Sequence, residues 1–133
     1  MFRHDSALPL SILLPGLRLY SESNLREHWA RNHRRAKTQR VTTYYTLSAH
    51  VPRTRATLRP LVITITRIAP RPLDEGDNLP ASAKAVQDGI ADWLAGQYGK
   101  GQDRQPGLVF RYNQRRGAPR EYGVTITIER GDP

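Results

Sequence analysis

Leu61-Val62-Ile63-Thr64-Ile65-Thr66-Arg67-Ile68 decides the fold: it is β-branched, alternating, and closed in by Pro60 and Pro70. Such a run reads as a strand, because branched side chains suit the pleated backbone and proline bounds it. Further on, the period changes. Leu79, Ala83, Val86, Ile90 and Trp93/Leu94 recur at helical spacing and predict a helix over residues 79–98, with a buried apolar stripe. Asp77 or Asn78 can cap it, and Pro80 suits its first turn. Gly96, Gly99 and Gly101 then open a flexible loop, and residues 108–112 and 122–128 return to strand patterns. On the other side of the central strand, residues 51–59 read as a loop. Residues 24–47 lack both Gly and Pro and place Leu25, Trp29, Ala36, Tyr44 and Leu47 on one helical face, with Ser21 or Ser23 as cap. Residues 10–14, closed by Pro15-Gly16, form a first strand. The order β-α-β-α-β-β predicts a small single α+β domain, with a mixed sheet of about four strands and two main helices.

The 133 residues and 15.1 kDa are one domain's worth of chain, long enough to bury a core without covalent staples. The absence of cysteine excludes disulfides, thiolate metal sites and thiol nucleophiles. The formal charge is +9, and eighteen of the twenty-one basic residues are arginine. The excess favours a polyanionic partner, nucleic acid or an anionic membrane surface, and the arginine bias points to phosphate, because a guanidinium offers paired planar donors. Nothing reads as a membrane span or a signal peptide, because the apolar residues 7–19 are interrupted by Pro9, Pro15, Gly16 and Arg18. The expected compartment is the cytoplasm.

The charge is unevenly placed: +10 over residues 1–73, −4 over residues 74–103 and +3 over residues 104–133. An acidic island in a basic protein would repel DNA unless it held a cation. Its densest part, Asp74-Glu75-Gly76-Asp77-Asn78, lies between the best strand and the best helix. Carboxylates so close repel one another unless they are solvated or bridged, and oxygen donors suit a hard ion, Mg²⁺ or Mn²⁺. Asp103 can be carried back to them by the glycine-rich loop. Asp77, Ala81, Lys84 and Asp88 share one helical stripe, which puts Lys84 within reach of a phosphate held at the carboxylates. A metal there would polarise a phosphodiester and activate water. The competing reading is a polar turn with an Asp cap and an ordinary Lys84–Asp88 pair. An EF-hand loop is excluded, since no Glu stands at the twelfth position from Asp74.

Three segments carry a family resemblance: Pro72-Leu73-Asp74-Glu75-Gly76-Asp77-Asn78-Leu79, Lys84-Ala85-Val86-Gln87-Asp88-Gly89-Ile90-Ala91-Asp92, and Phe110-Arg111-Tyr112-Asn113-Gln114-Arg115-Arg116-Gly117. Together with Tyr122-Gly123-Val124-Thr125-Ile126-Thr127-Ile128 and the arginine-rich first helix, they resemble the phage and prophage branch of the RusA Holliday junction resolvases, over about residues 10–129. The resemblance implies one RusA-like endonuclease domain spanning residues 1–133. It also implies a homodimer that uses Mg²⁺ to nick branched, four-way DNA symmetrically in recombination and repair. It implies metal ligands at Asp74 (or Glu75), Asp77 and Asp103, with Lys84 assisting them as a catalytic residue. Four features depart from the pattern: Gly76 lengthens the first acidic element, Gln102 replaces the first acid of the later pair, residues 96–101 are longer than the usual connection, and Lys84 falls about one turn later than in some members.

The expected DNA-contacting set is Asn24, Arg26, Arg31, Arg34, Arg35, Lys37 and Arg40 on the first helix, with Arg111, Arg115 and Arg116 near the third strand. Trp29, Tyr44 and Tyr45 read as core rather than as stacking platforms. The four histidines lack a zinc-ligand spacing, and there is no phosphate-cradling Gly-x-x-x-x-Gly-Lys loop, so neither zinc nor a nucleotide cofactor is expected. The reading opposed to an enzyme is a basic DNA- or RNA-binding module whose acids are a structural cap.

Overall fold

Strand β2 (Leu61–Ala69) pairs on both sides in the computed structural model, which describes residues 8–20, 29–56, 59–74, 76 and 78–131. It runs parallel to β3 (Leu108–Arg116) and antiparallel to β4 (Gly123–Arg130). On its far side β4 carries β1 (Leu10–Pro15), also antiparallel, so the strand order is β1-β4-β2-β3. This is the expected α+β domain with a four-stranded mixed sheet. The one parallel pair follows from the helical crossover between β2 and β3, since parallel neighbours need a long connection.

Alternation sorts the two faces. Leu61, Ile63 and Ile65 of β2 stand in register with Leu108, Phe110 and Tyr112 of β3, and Ile126 and Ile128 of β4 continue the same face. That face meets Leu47 of helix α1 (Trp29–His50) and Val86, Ile90 and Trp93 of helix α3 (Lys84–Ala95) in one core. Thr64, Thr66, Thr125 and Thr127 lie on the other face and stay half-buried. The strand over residues 108–112 extends to Arg116, because β2 offers backbone partners along its whole length even where the side chains turn polar.

The helix expected over residues 79–98 divides into α2 (Asn78–Ser82) and α3, interrupted at Ala83. Ser82 Oγ donates to the Leu79 carbonyl at 2.7 Å, and the Ala83 N–H turns to Pro80 at 3.1 Å, a tighter i→i−3 bond. The apolar stripe is otherwise as predicted, with Leu79, Ala83, Val86, Ile90 and Trp93 all buried. The first helix corrects two expectations: Trp29 is 72% exposed and Tyr45 59% exposed. The buried stripe of α1 is instead Gln39, Thr43 and Leu47. Polar residues serve there because Gln39 Nε2 donates to the Arg18 carbonyl at 3.0 Å and Thr43 Oγ1 to the Gln39 carbonyl at 2.7 Å. Leu25 and the caps proposed at Ser21 or Ser23 lie outside the described residues.

Helices α1 and α3 cross at Gly89. A Cβ there would stand 2.7 Å from the Arg40 carbonyl oxygen and 2.8 Å from Thr43 Cβ. Alanine gains up to about 1 kcal/mol in helix propensity, whereas overpacking costs about 1–3 kcal/mol. Because backbone is among the clashing atoms, Gly89→Ala is expected to destabilise the fold by about 1–2 kcal/mol net, measured by urea denaturation. Among the described residues no helix is long and apolar enough to cross a membrane.

Candidate active site

The acidic island is held by how the chain leaves α3. Gly96 closes the helix in the left-handed conformation, at φ 80°. The loop then turns back onto α3 and touches it at Gly101, where a Cβ would lie 2.2 Å from Ala91 C and Asp92 N, so only glycine fits. Asp92 fastens this contact. Its carboxylate, fully buried, accepts the Gly101 N–H at 2.8 Å and the Nε and Nη2 of Arg40 at 2.7 and 2.9 Å. Burial opposes ionisation of Asp92. The Arg40 guanidinium and the N–H groups of Gly101 and Gly99 outweigh it and hold the carboxyl below the usual range. The glycine-rich segment is therefore pinned to α3 by a hydrogen bond to a carboxylate that Arg40 of α1 also holds.

The pinned loop delivers Asp103 to the first turn of α3. Lys84 Nζ donates to Asp103 Oδ2 at 2.6 Å and to Asp88 Oδ1 at 2.9 Å. Gln87 Nε2 reaches the same Asp103 oxygen at 2.7 Å, and the Tyr112 hydroxyl donates to Gln87 Oε1. A lysine at the first position of a helix opposes the macrodipole, and here two carboxylates offset that cost. The hydrogen bonds that Lys84 and Gln87 donate to Asp103 depress its carboxyl against partial burial. Partial burial disfavours the Lys84 ammonium, but its bonds to Asp103 and Asp88 outweigh this and raise its pKa. Burial, and then the Asp103 charge, push the Tyr112 phenol up. Lys84→Met should therefore move the Asp103 carboxyl titration upward, read by carbon-13 NMR.

Asp74 is exposed at the end of the loop after β2, and its carbonyl accepts the Leu79 N–H at 2.9 Å. Asp74 lies four residues ahead of α2, whereas Lys84 is the first residue of α3. Glu75 and Asp77 lie outside the described residues, as do Asn24 and Arg26. Among the described residues no group of three or more His, Cys, Asp or Glu converges as a metal set. The donors present, carboxylates with no thiolate in the chain, fit a hard divalent cation in kind. At Gly76 a Cβ would stand 3.8 Å from Asp74 Oδ2, an ordinary contact.

The basic residues separate into distinct places. Arg31, Arg34 and Arg35 line a groove of about 500 Å³ with Arg18 and Tyr20. There the Arg35 guanidinium stacks on Tyr20 at 4.0 Å, and Arg18 stacks on Tyr122 at 4.3 Å. Lys37 lines a second cavity of about 300 Å³ between α1 and α3, together with Arg40, Asp88 and Tyr98. Arg40, expected at the DNA surface, is bound to Asp92. Arg111 projects from the sheet face opposite the helices, while Arg115 and Arg116 lie at the end of β3.

Sequence reading assigned no role to Gln87, Tyr112, Asp92 or Arg67. Gln87 lies three residues after Lys84 and shares its helical face, a signal present in the spacing. Asp92 stands beside Ile90 and Trp93, and Arg67 follows Ile63 and Ile65 on the inward parity of β2, so each is a charge in an apolar register. No protein-family model matches the chain, and no curated protein matches it.

Proposed function

We propose that this protein is a Mg²⁺-dependent, structure-selective DNA endonuclease that resolves four-way junctions by symmetric nicking. The observation that carries the reading is the return of Asp103 to Lys84, at 2.6 Å, on the helix that follows the acidic turn. The sequence resemblance to RusA-type resolvases supports it, as does the separation of the acidic island from the arginine groove. Asp74 (or Glu75), Asp77 and Asp103 would hold the ion, Mg²⁺ or Mn²⁺. When bound, it supplies Lewis-acid polarisation of the phosphodiester and a water of lowered pKa. Lys84 places an ammonium where negative charge develops on the phosphate. Gln87 orients Asp103, and Tyr112 in turn orients Gln87. The arginines of the α1 groove hold the DNA backbone. Cutting two strands symmetrically needs two sites, hence a twofold homodimer.

One observation favours a second reading, a basic DNA- or RNA-binding module without catalysis. Asp103 Oδ2 is already bonded by both Lys84 and Gln87, so its charge is matched within the chain. Affinity does not separate the two, since both bind phosphate with a steep salt dependence. A synthetic four-way junction incubated with the protein and Mg²⁺, Mn²⁺ or EDTA does. Paired nicks with either metal and none with EDTA are the expected result, and an intact junction under all three conditions leaves the binding module.

A further inference from the structure

Arg67 interrupts the apolar parity of β2. Ile63 and Ile65 face the helices, and Arg67, the next residue on that face, is only 7% exposed. Its Nε donates to the Leu19 carbonyl at 3.1 Å and its Nη1 to the Arg71 carbonyl at 2.8 Å. Among the described residues no carboxylate partners it. Burial lowers its pKa, and the charge of Arg18 lowers it further. Proteins rarely bury arginine unpaired, because neutral carbonyls satisfy the N–H groups but not the charge.

Arg67 lines a cavity of about 250 Å³ with Ala69, Pro72, Gln114, Arg115 and Arg116, and no acid is among the described residues of that lining. Arg115 has Glu121 at 3.7 Å, but both side chains are about half exposed, and such a pair is largely screened. The volume falls below the roughly 300–1,000 Å³ of ordinary small-molecule sites, and a lining with three arginines suits an oxyanion. The cavity lies where the parallel pair ends, at Ala69 and Arg116, beyond the carboxyl ends of both strands. Its Pro72 wall is fixed from the next residue. The Leu73 N–H donates to Gln114 Oε1 at 2.9 Å, and Gln114 Nε2 donates to the Leu73 carbonyl at 2.8 Å. Asp74 follows Pro72 by two residues, at most about 7 Å of chain.

We propose that the Arg67 cavity is a phosphate-binding site, and that it receives the backbone phosphodiester beside the one at the acidic turn. The oxyanion preference stands on the cavity alone; the identification of the phosphate as DNA rests on the nuclease reading.

The test titrates inorganic phosphate into the full chain at constant ionic strength, following the arginine Nε–Hε and Gln114 side-chain signals by NMR. Saturable shifts at Arg67 and Gln114 with phosphate, absent with chloride, are expected. Equal responses to the two anions, or none, overturn the site. Arg67→Gln should weaken phosphate about tenfold. Because that variant removes a buried group, Arg116→Gln at the exposed wall is measured beside it and should weaken phosphate several-fold. Junction binding is then measured in EDTA across salt concentrations. The Arg115→Gln/Arg116→Gln double variant should flatten the log–log slope by about 0.9, one phosphate contact. An unchanged slope removes the assignment to the DNA backbone. Cleavage with Mg²⁺ is scored separately, so an uncut junction with intact phosphate binding strikes only the nuclease reading.

Discussion

Asp103→Asn should fold like the parent and cut a four-way junction about 10²-fold more slowly, or not at all. A bound divalent ion supplies several kcal/mol of transition-state stabilisation, and about 2.7 kcal/mol already corresponds to 10² in rate. Stability should change little, because the Lys84–Asp103 pair involves a lysine side chain that is 57% exposed. Junction affinity should hold or rise, since a carboxylate facing phosphate is lost. Asp88→Asn is the informative comparison. Asp88 also bonds Lys84, but as an i,i+4 pair worth about 0.3–0.5 kcal/mol, so its loss should leave most of the cleavage rate. Single-turnover cleavage and gel-shift titration of both variants make the measurement. If Asp103→Asn cuts at the parental rate, Asp103 is not a ligand.

The second large effect is on stability. Asp92→Ala leaves the Arg40 guanidinium and the Gly101 N–H without their shared acceptor. Removing one member of a buried ion pair costs about 3–5 kcal/mol, and the partial exposure of Arg40 places this case near about 3 kcal/mol. For a chain of this size the melting temperature should fall by roughly 10–15 °C. The loop that carries Asp103 should loosen as well, so junction cleavage should drop more than the folded fraction does. The pH dependence has a definite sign. The folded Asp92 pKa lies below its unfolded value, about 3.9, so its contribution is complete above that pH. It is lost as pH falls through the folded value. The acid limb of the parent's stability curve should therefore flatten in Asp92→Ala, as measured by urea denaturation from neutral pH downward.

The four strands and α3 were legible because each follows a local period, and α1 because residues 24–47 hold neither Gly nor Pro. Alternation set the inward face of β2, and the stripe Leu79, Ala83, Val86, Ile90 and Trp93 set the buried side of α2 and α3. The failures came where a tertiary contact overrode the local signal. Trp29 looks like core by residue type, yet it stands at the exposed start of α1, while Thr43 is buried because Gly89 lets two helices approach closely. The loop at residues 96–101 reads as flexible from its glycines. Two of them serve instead to end α3 and to lie flat against it.

The same division holds at the site. By itself the sequence determined that acids cluster ahead of a helix in an arginine-rich chain, since charge and spacing are written in residue order. Only the tertiary structure decided that Asp103 meets Lys84, that Arg40 belongs to Asp92, and that Arg67 is a buried cation with no acid beside it among the described residues. Those pairings join residues 19 to 52 positions apart. Partners so distant are chosen by how the sheet and helices pack, and neither helical nor strand periodicity reaches that far.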